Sequence, residues 1–138
     1  MNYTKMSRIA LLSVIALAAG AFAYAQLPNN MSADIPFDFN AGTTQMSAGH
    51  YTVSSLSPAM VTLRSDSGQI VTVATHSAET INPKEPGRLV FHRYGDVYFL
   101  SQLWGPAQDI GRELPRSAAE RETAKGKGRL TIAMVRVN

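Results

Sequence analysis

Three histidines, His50, His76 and His92, carry most of the near-neutral proton chemistry available to this chain, and it has no cysteine. A zinc site needs three or four converging ligands, often two of them close together on one element. Only His76 and Glu79, three residues apart, approach that spacing, so neither a metal nor a cofactor is expected. Without cysteine, nucleophilic catalysis falls to serine. Ser101 lies near His92 and Asp96 in the chain, but in no nucleophile elbow. A register counted outward from a Gly95-Asp96 turn puts His92 and Ser101 on one face and leaves Asp96 in the turn. A triad needs contact between all three roles, so no catalytic residue is assigned. Asp34 and Asp38 read as neighbours on the polar face of one strand, about 13 Å apart over two pleats, too far for a catalytic pair. Gly126-Lys127-Gly128 lacks the rest of a phosphate-loop pattern and reads as a hinge.

The aromatic residues offer a different chemistry. Tyr51, Tyr94, Tyr98 and Trp104 have the area and polar handles of a sugar- or peptide-stacking surface. The candidate ligand-binding set is Tyr94, Tyr98 and Trp104 with His92. The competing assignment is core packing, which the two-sided hairpin favours. Arg93 opposite Tyr98 is expected to make a cation–π contact.

These residues sit on strands. In residues 88–104, Gly95-Asp96 is a two-residue turn, Gly95 supplying the positive φ. That turn pairs Tyr94 with Val97, Arg93 with Tyr98, His92 with Phe99 and Phe91 with Leu100. One face then carries Val90, His92, Tyr94, Val97, Phe99 and Leu103. The other carries Leu89, Phe91, Arg93, Tyr98, Leu100 and Trp104. Both are mostly apolar, which predicts a central hairpin covered on two sides. Ile35, Phe37 and Phe39 alternate as a half-buried strand in which Pro36 marks an edge. Residues 60–64 and 69–75 flank the Ser65-Asp66-Ser67-Gly68 turn as a second hairpin. Pro83 and Pro86 make 81–87 a loop. Ser117-Ala118-Ala119-Glu120 is a capping box opening a short helix over 118–125, with Gly126 stopping it. Residues 130–137 alternate as a closing strand. About seven strands and one short helix near the C-terminus predict a mainly β fold, a small antiparallel sandwich or open barrel.

The first 25 residues follow another pattern. Lys5 and Arg8 precede a charge-free run from 9 to 22, and Ala23-Tyr24-Ala25 closes it. A basic start, a short apolar run and a small-x-small site in that order define a cleavable signal peptide. The expected organisation is a signal peptide at 1–25, a flexible leader at 26–33 and one β-rich domain at 34–138. The signal should form a helix over 9–22 with few contacts to that domain. Its removal leaves no stable membrane span. It also takes two of the 13 basic residues, leaving 11 against 10 acidic ones. A domain at +1 gives no electrostatic case for nucleic acid.

Several blocks make the chain resemble a group of small exported proteins of acidobacterial soil bacteria. They are Ile35-Pro36-Phe37-Asp38-Phe39, Ala48-Gly49-His50-Tyr51-Thr52-Val53, the run from Leu89 to Ser101, Gly111-Arg112-Glu113-Leu114, and Ser117-Ala118-Ala119-Glu120-Arg121-Glu122. The resemblance implies export and a β-rich fold, and it carries over no catalytic residue. The expected function is therefore that of a periplasmic or extracellular module, non-catalytic, binding or assembling with an envelope protein or polysaccharide. The alternatives are a small exported hydrolase and a carbohydrate-binding domain. Intact-mass analysis of the protein recovered from its source should give a chain beginning at Gln26; a chain still carrying Met1 would contradict processing.

Overall fold

A computed structural model describes residues 30–57, 59–79, 85–106, 108 and 110–138. The helix expected over 9–22 lies outside them. The described residues form eleven strands and one helix. The strands are β1 (Met31–Ile35), β2 (Phe39–Ala41), β3 (Thr44–Met46), β4 (Gly49–Ser57), β5 (Met60–Ser65), β6 (Ile70–Ala74), β7 (His76–Glu79), β8 (Arg88–Tyr94), β9 (Val97–Trp104), β10 (Ile110–Glu113) and β11 (Leu130–Arg136), with α1 (Ala118–Lys127) before the last. The first sheet runs β1-β4-β5-β6 and the second β11-β8-β9-β10-β7, with the small β2–β3 hairpin joined to β9 by one parallel bridge. The fold is mainly β, as expected.

The strand count exceeds seven because several runs break. The strand expected across Asp34–Phe39 is interrupted at Pro36, which has no N–H to give to a ladder. β1 instead begins at Met31 and buries Met31 and Ala33, so strand order starts inside the segment read as leader. β6 ends at Ala74 and β7 follows after Thr75 in the other sheet. At the opposite corner Ser32 and Asn138 exchange two backbone hydrogen bonds, of 3.1 and 2.9 Å. The two sheets are thus hinged at both sides of the sandwich.

The core lies between them. Tyr51, Phe39, Phe91, Ile35, Met46, Leu63 and Leu89 are fully buried. Phe39 meets Tyr51 and Phe91 edge-on, with centroids 5.3 and 5.4 Å apart. Each such aromatic pair adds about 0.5–1.5 kcal/mol beyond its burial.

The β8–β9 hairpin has the expected register at its turn end, from Tyr94↔Val97 to Phe91↔Leu100, and Gly95 has φ 62°. Beyond that it departs from simple alternation. The ladder shifts between Val90 and Phe91, so Val90 faces Gln102 and Leu89 faces Leu103. A β-bulge places one extra residue on β9 and reverses which face each later side chain takes. Leu103 therefore enters the core, where strict alternation sends it outward. Trp104 goes to the outer face, opposite Arg88, whose guanidinium sits 5.2 Å from the indole centroid. Across on β10, Gly111 leaves room for that indole: a Cβ there would come within 2.6 Å of the ring.

The helix also differs in extent. Ser117 is its N-cap and its hydroxyl accepts from the Glu120 N–H at 3.1 Å. It runs through Gly126 to Lys127 and ends at Gly128, φ 80°. A glycine inside a helix costs about 1 kcal/mol but does not stop it; the left-handed turn is made two residues later.

Candidate functional site on the outer face of the second sheet

Alternation along β8 and β9 puts His92, Tyr94 and Ser101 on the face away from the core, and the bulge adds Gln102 to it. α1 crosses above. Its cap fixes Glu120 in the first turn, directed at the sheet. The carboxylate does not reach back to the cap, as a full capping box requires. Its Oε1 lies 2.6 Å from His92 Nδ1, accepts from the Tyr94 hydroxyl at 3.1 Å, and lies 3.7 Å from Arg116 Nε. His92 Nε2 lies 3.1 Å from Ser101 Oγ. The Glu120 carboxylate accepts from His92 Nδ1–H, and the Ser101 hydroxyl is the hydrogen-bond partner of Nε2 on the other side of the ring. Burial, then the bond to Glu120, raises the Tyr94 pKa above its ordinary value.

This is the hydrogen-bond order of a Ser–His–acid relay, with Glu120 in place of the Asp96 considered from sequence. Ser101 and His92 do meet, as the register implied. The acid was missed because it lies 28 residues from His92 and reads locally as a capping residue. Catalysis asks for more than the order of bonds. The nucleophile must reach a substrate carbonyl, with donors aimed at the developing oxyanion. Ser101 is 3% exposed. Among the described residues, one cavity of about 240 Å³ is lined by the β2–β3 turn, β6, Leu114 and Pro115, and a smaller cleft by residues around Arg112. Neither includes Ser101, His92 or Glu120.

The network instead explains how α1 is held. Glu120 is the one buried residue of the helix. Thr123 and Ala124 are half-buried and the rest is exposed. A helix with so little apolar contact depends on its polar anchor.

The other candidate residues are dispersed. Tyr94 and Trp104 are buried on the outer face. Tyr98 stacks on Phe37 at 3.8 Å on the core side, with the Arg93 guanidinium 5.4 Å from its ring. Tyr51 is buried and donates to the Ser47 carbonyl. The four aromatics share no surface. His50 Nδ1 pairs with Asp34 at 2.6 Å across β1 and β4, and that bond raises its pKa. Asp38 accepts from the Ala48 N–H at 2.8 Å. His76 lies 3.8 Å from Glu113 on β10, its register partner, and not against Glu79. Among the described residues no three metal-ligating side chains cluster.

Beside the covered network lies a bare strand. β11 is the terminal strand of the second sheet and carries two apolar rows. The small row, Ala133 and Val135, packs on the core. The bulky row is turned outward: Leu130, Ile132 and Met134 are 36, 53 and 66% exposed. The Val137 N–H bonds to Gly87, so the odd-numbered residues of β11 face β8 along the ladder. In an antiparallel pair hydrogen-bonded positions alternate. The backbone groups of Leu130, Ile132, Met134 and Arg136 therefore point to the open side. At the C-terminal end β1 lies beside β11 on that side, and among the described residues Asn138 finds its backbone partner there in Ser32.

Compared with models of protein families, with curated proteins and with solved structures, the chain matches none.

Replacing Glu120 with Ala should destabilise the protein by about 3 kcal/mol, the scale of breaking a buried polar pair. Amide hydrogen exchange should accelerate in α1 while β8 and β9 stay protected. An unchanged denaturation midpoint with unchanged exchange in α1 would remove the anchoring role.

Proposed function

We propose that this is an exported, non-catalytic binding or assembly module of the cell envelope or exterior, working by strand addition at β11. The carrying observation is the coincidence on one strand of outward backbone groups and an uncovered row of three large apolar side chains. Native proteins usually blunt an edge with charges, prolines or bulges. Between Arg129 and Arg136 β11 has none of these. Added strands gain affinity from main-chain bonds and selectivity from alternate side chains, which favours a polypeptide partner over a polysaccharide. The three-part N-terminal pattern supports export. The near-neutral processed domain leaves nucleic acid without an electrostatic footing.

The test is an Ile132→Lys, Met134→Lys double variant, which puts two charges on exposed positions of the edge. Immobilised wild-type protein should retain a defined partner from its own envelope extract, identified by mass spectrometry, and the variant should lose it at an unchanged melting temperature. Equal retention by both would place the working surface elsewhere.

A second reading, a small exported hydrolase, draws on the Ser101–His92–Glu120 line of 3.1 and 2.6 Å. It requires α1 to lift from Ser101. A fluorophosphonate probe should then label the wild type and spare Ser101→Ala; equal labelling of the two, or none, excludes a reactive Ser101.

A further inference from the structure

The geometry points to a carboxylate-binding site at Arg112, in a cleft between the two sheets, for a ligand whose carboxylate is attached to an apolar body. The inference depends neither on β11 nor on the polar network under α1.

Gly111 on β10 lies against the Trp104 ring on the outer face, so alternation turns Arg112 the other way, into the gap between the sheets. Its register partner on β9 is Leu103, a core residue. A guanidinium keeps its charge at every ordinary pH and presents only donors, so a buried one needs acceptors. Other arginines have them or have water. Arg88 pairs with Glu85, Arg93 donates to the Gly95 carbonyl, Arg116 faces Glu120 and Arg121 donates to the Arg116 carbonyl. Arg64, Arg129 and Arg136 are exposed. Arg112 differs: its Nε is buried without a hydrogen-bond partner. Among the described residues no carboxylate pairs with it. Native interiors rarely leave a donor in that state, and a charged donor costs most.

The cleft beside Arg112 restricts what can serve. It holds about 10 Å³, room for one water-sized group. Met31, Val53, Val61 and Leu103 make most of its lining apolar, and Ser54, Ser55 and Gly105 supply the remaining polar atoms. A carboxylate matches this shape. In the planar side-on pairing its two oxygens take Nε–H and one Nη–H. One oxygen then fills the water-sized space at Nε, and the second stays on the open side of the half-buried arginine. A sulfate or phosphate would press further oxygens against the apolar lining. A halide engages the fork with one atom where the fork offers two donors. The apolar body has surface to rest on. Ile110, two residues before Arg112 and on the same face of β10, is 50% exposed, and Leu56, next to Ser55, is 67% exposed.

The test follows the Arg112 Nε–H and the Ser55 and Gly105 amides by heteronuclear NMR while sodium hexanoate is added at neutral pH and constant ionic strength. Hexanoate should move these signals saturably, with a dissociation constant of about 1 mM. Hexanol, the same body without the charge, and chloride, a charge without the body, should each bind about tenfold more weakly or less. Arg112→Lys keeps the charge but not the fork and should also weaken hexanoate by about tenfold. Should that variant fail to fold, the wild-type titrations decide alone. A short peptide ending in leucine, with a free or an amidated C-terminus, separates the two sources of such a carboxylate. Tighter binding of the free-ended peptide than of hexanoate assigns the site to polypeptide C-termini, and the reverse assigns it to free aliphatic acids. A stationary Nε–H under both carboxylates, the result of a lone bound water, overturns the site. So do equal shifts from hexanoate and chloride, equal shifts from hexanoate and hexanol, or undiminished binding by folded Arg112→Lys.

Discussion

The bulge in β9 at Ser101–Gln102 is the constraint from which the arrangement of the second sheet follows. An extra residue in a pleated strand exchanges the faces of everything beyond it. Here it sends Leu103 into the core beside Leu89 and turns Trp104 out beneath Arg88. It also leaves two consecutive residues on the outer face. Ser101 takes a bond to His92, and Gln102 accepts one from the Trp104 indole at 3.1 Å. Without the bulge an unbroken alternation would bury Trp104 between the sheets and leave Leu103 exposed.

From Ser101 the dependence runs outward. His92 has a polar neighbour below it and a carboxylate above, and that carboxylate is the only buried part of α1. The result is a short polar line across a sheet–helix contact that elsewhere would be filled with leucine. Such a line stabilises less than an apolar contact of equal size but specifies one position for the helix, because an unpaired buried carboxylate is strongly disfavoured. With the helix set there, the outer face of β8 is covered as far as His92 and Tyr94. The neighbouring row on β11 is not. Covered network and uncovered strand belong to one face, and the helix boundary divides them.

The candidate site was half legible. The turn chemistry of Gly95-Asp96 is local, so the pairing of His92 with Phe99 and of Arg93 with Tyr98 could be counted outward from it. The capping serine was readable for the same reason. Glu120 was not, because its partners are on a strand 26 and 28 residues away and its spacing to Ser117 already has a local explanation. The aromatic set was legible up to the bulge: the register already put Tyr94 and Tyr98 on opposite faces, and Trp104 alone changes sides because the ladder shifts before it. Tyr98 lies against Phe37 on the core side, while Tyr94 and Trp104 lie on the other.

By itself, the sequence determined what depends on neighbours along the chain: strand alternation, the tight turns, the helix cap, and the charge pattern of the first 25 residues. These are local because side-chain period, positive φ and capping bonds are decided within a few residues. Tertiary structure alone decided the bulge, the burial of Glu120 over His92, and which row of β11 meets the core. Leu130, Ile132 and Met134 are the more hydrophobic row, and burial energy alone would turn them inward. The space between the sheets is already filled by Phe39, Phe91 and Leu89, so the slimmer Ala133 and Val135 fit there and the bulky row is left outside. Packing volume, which no run of neighbouring residues reports, overrode hydrophobicity on that strand.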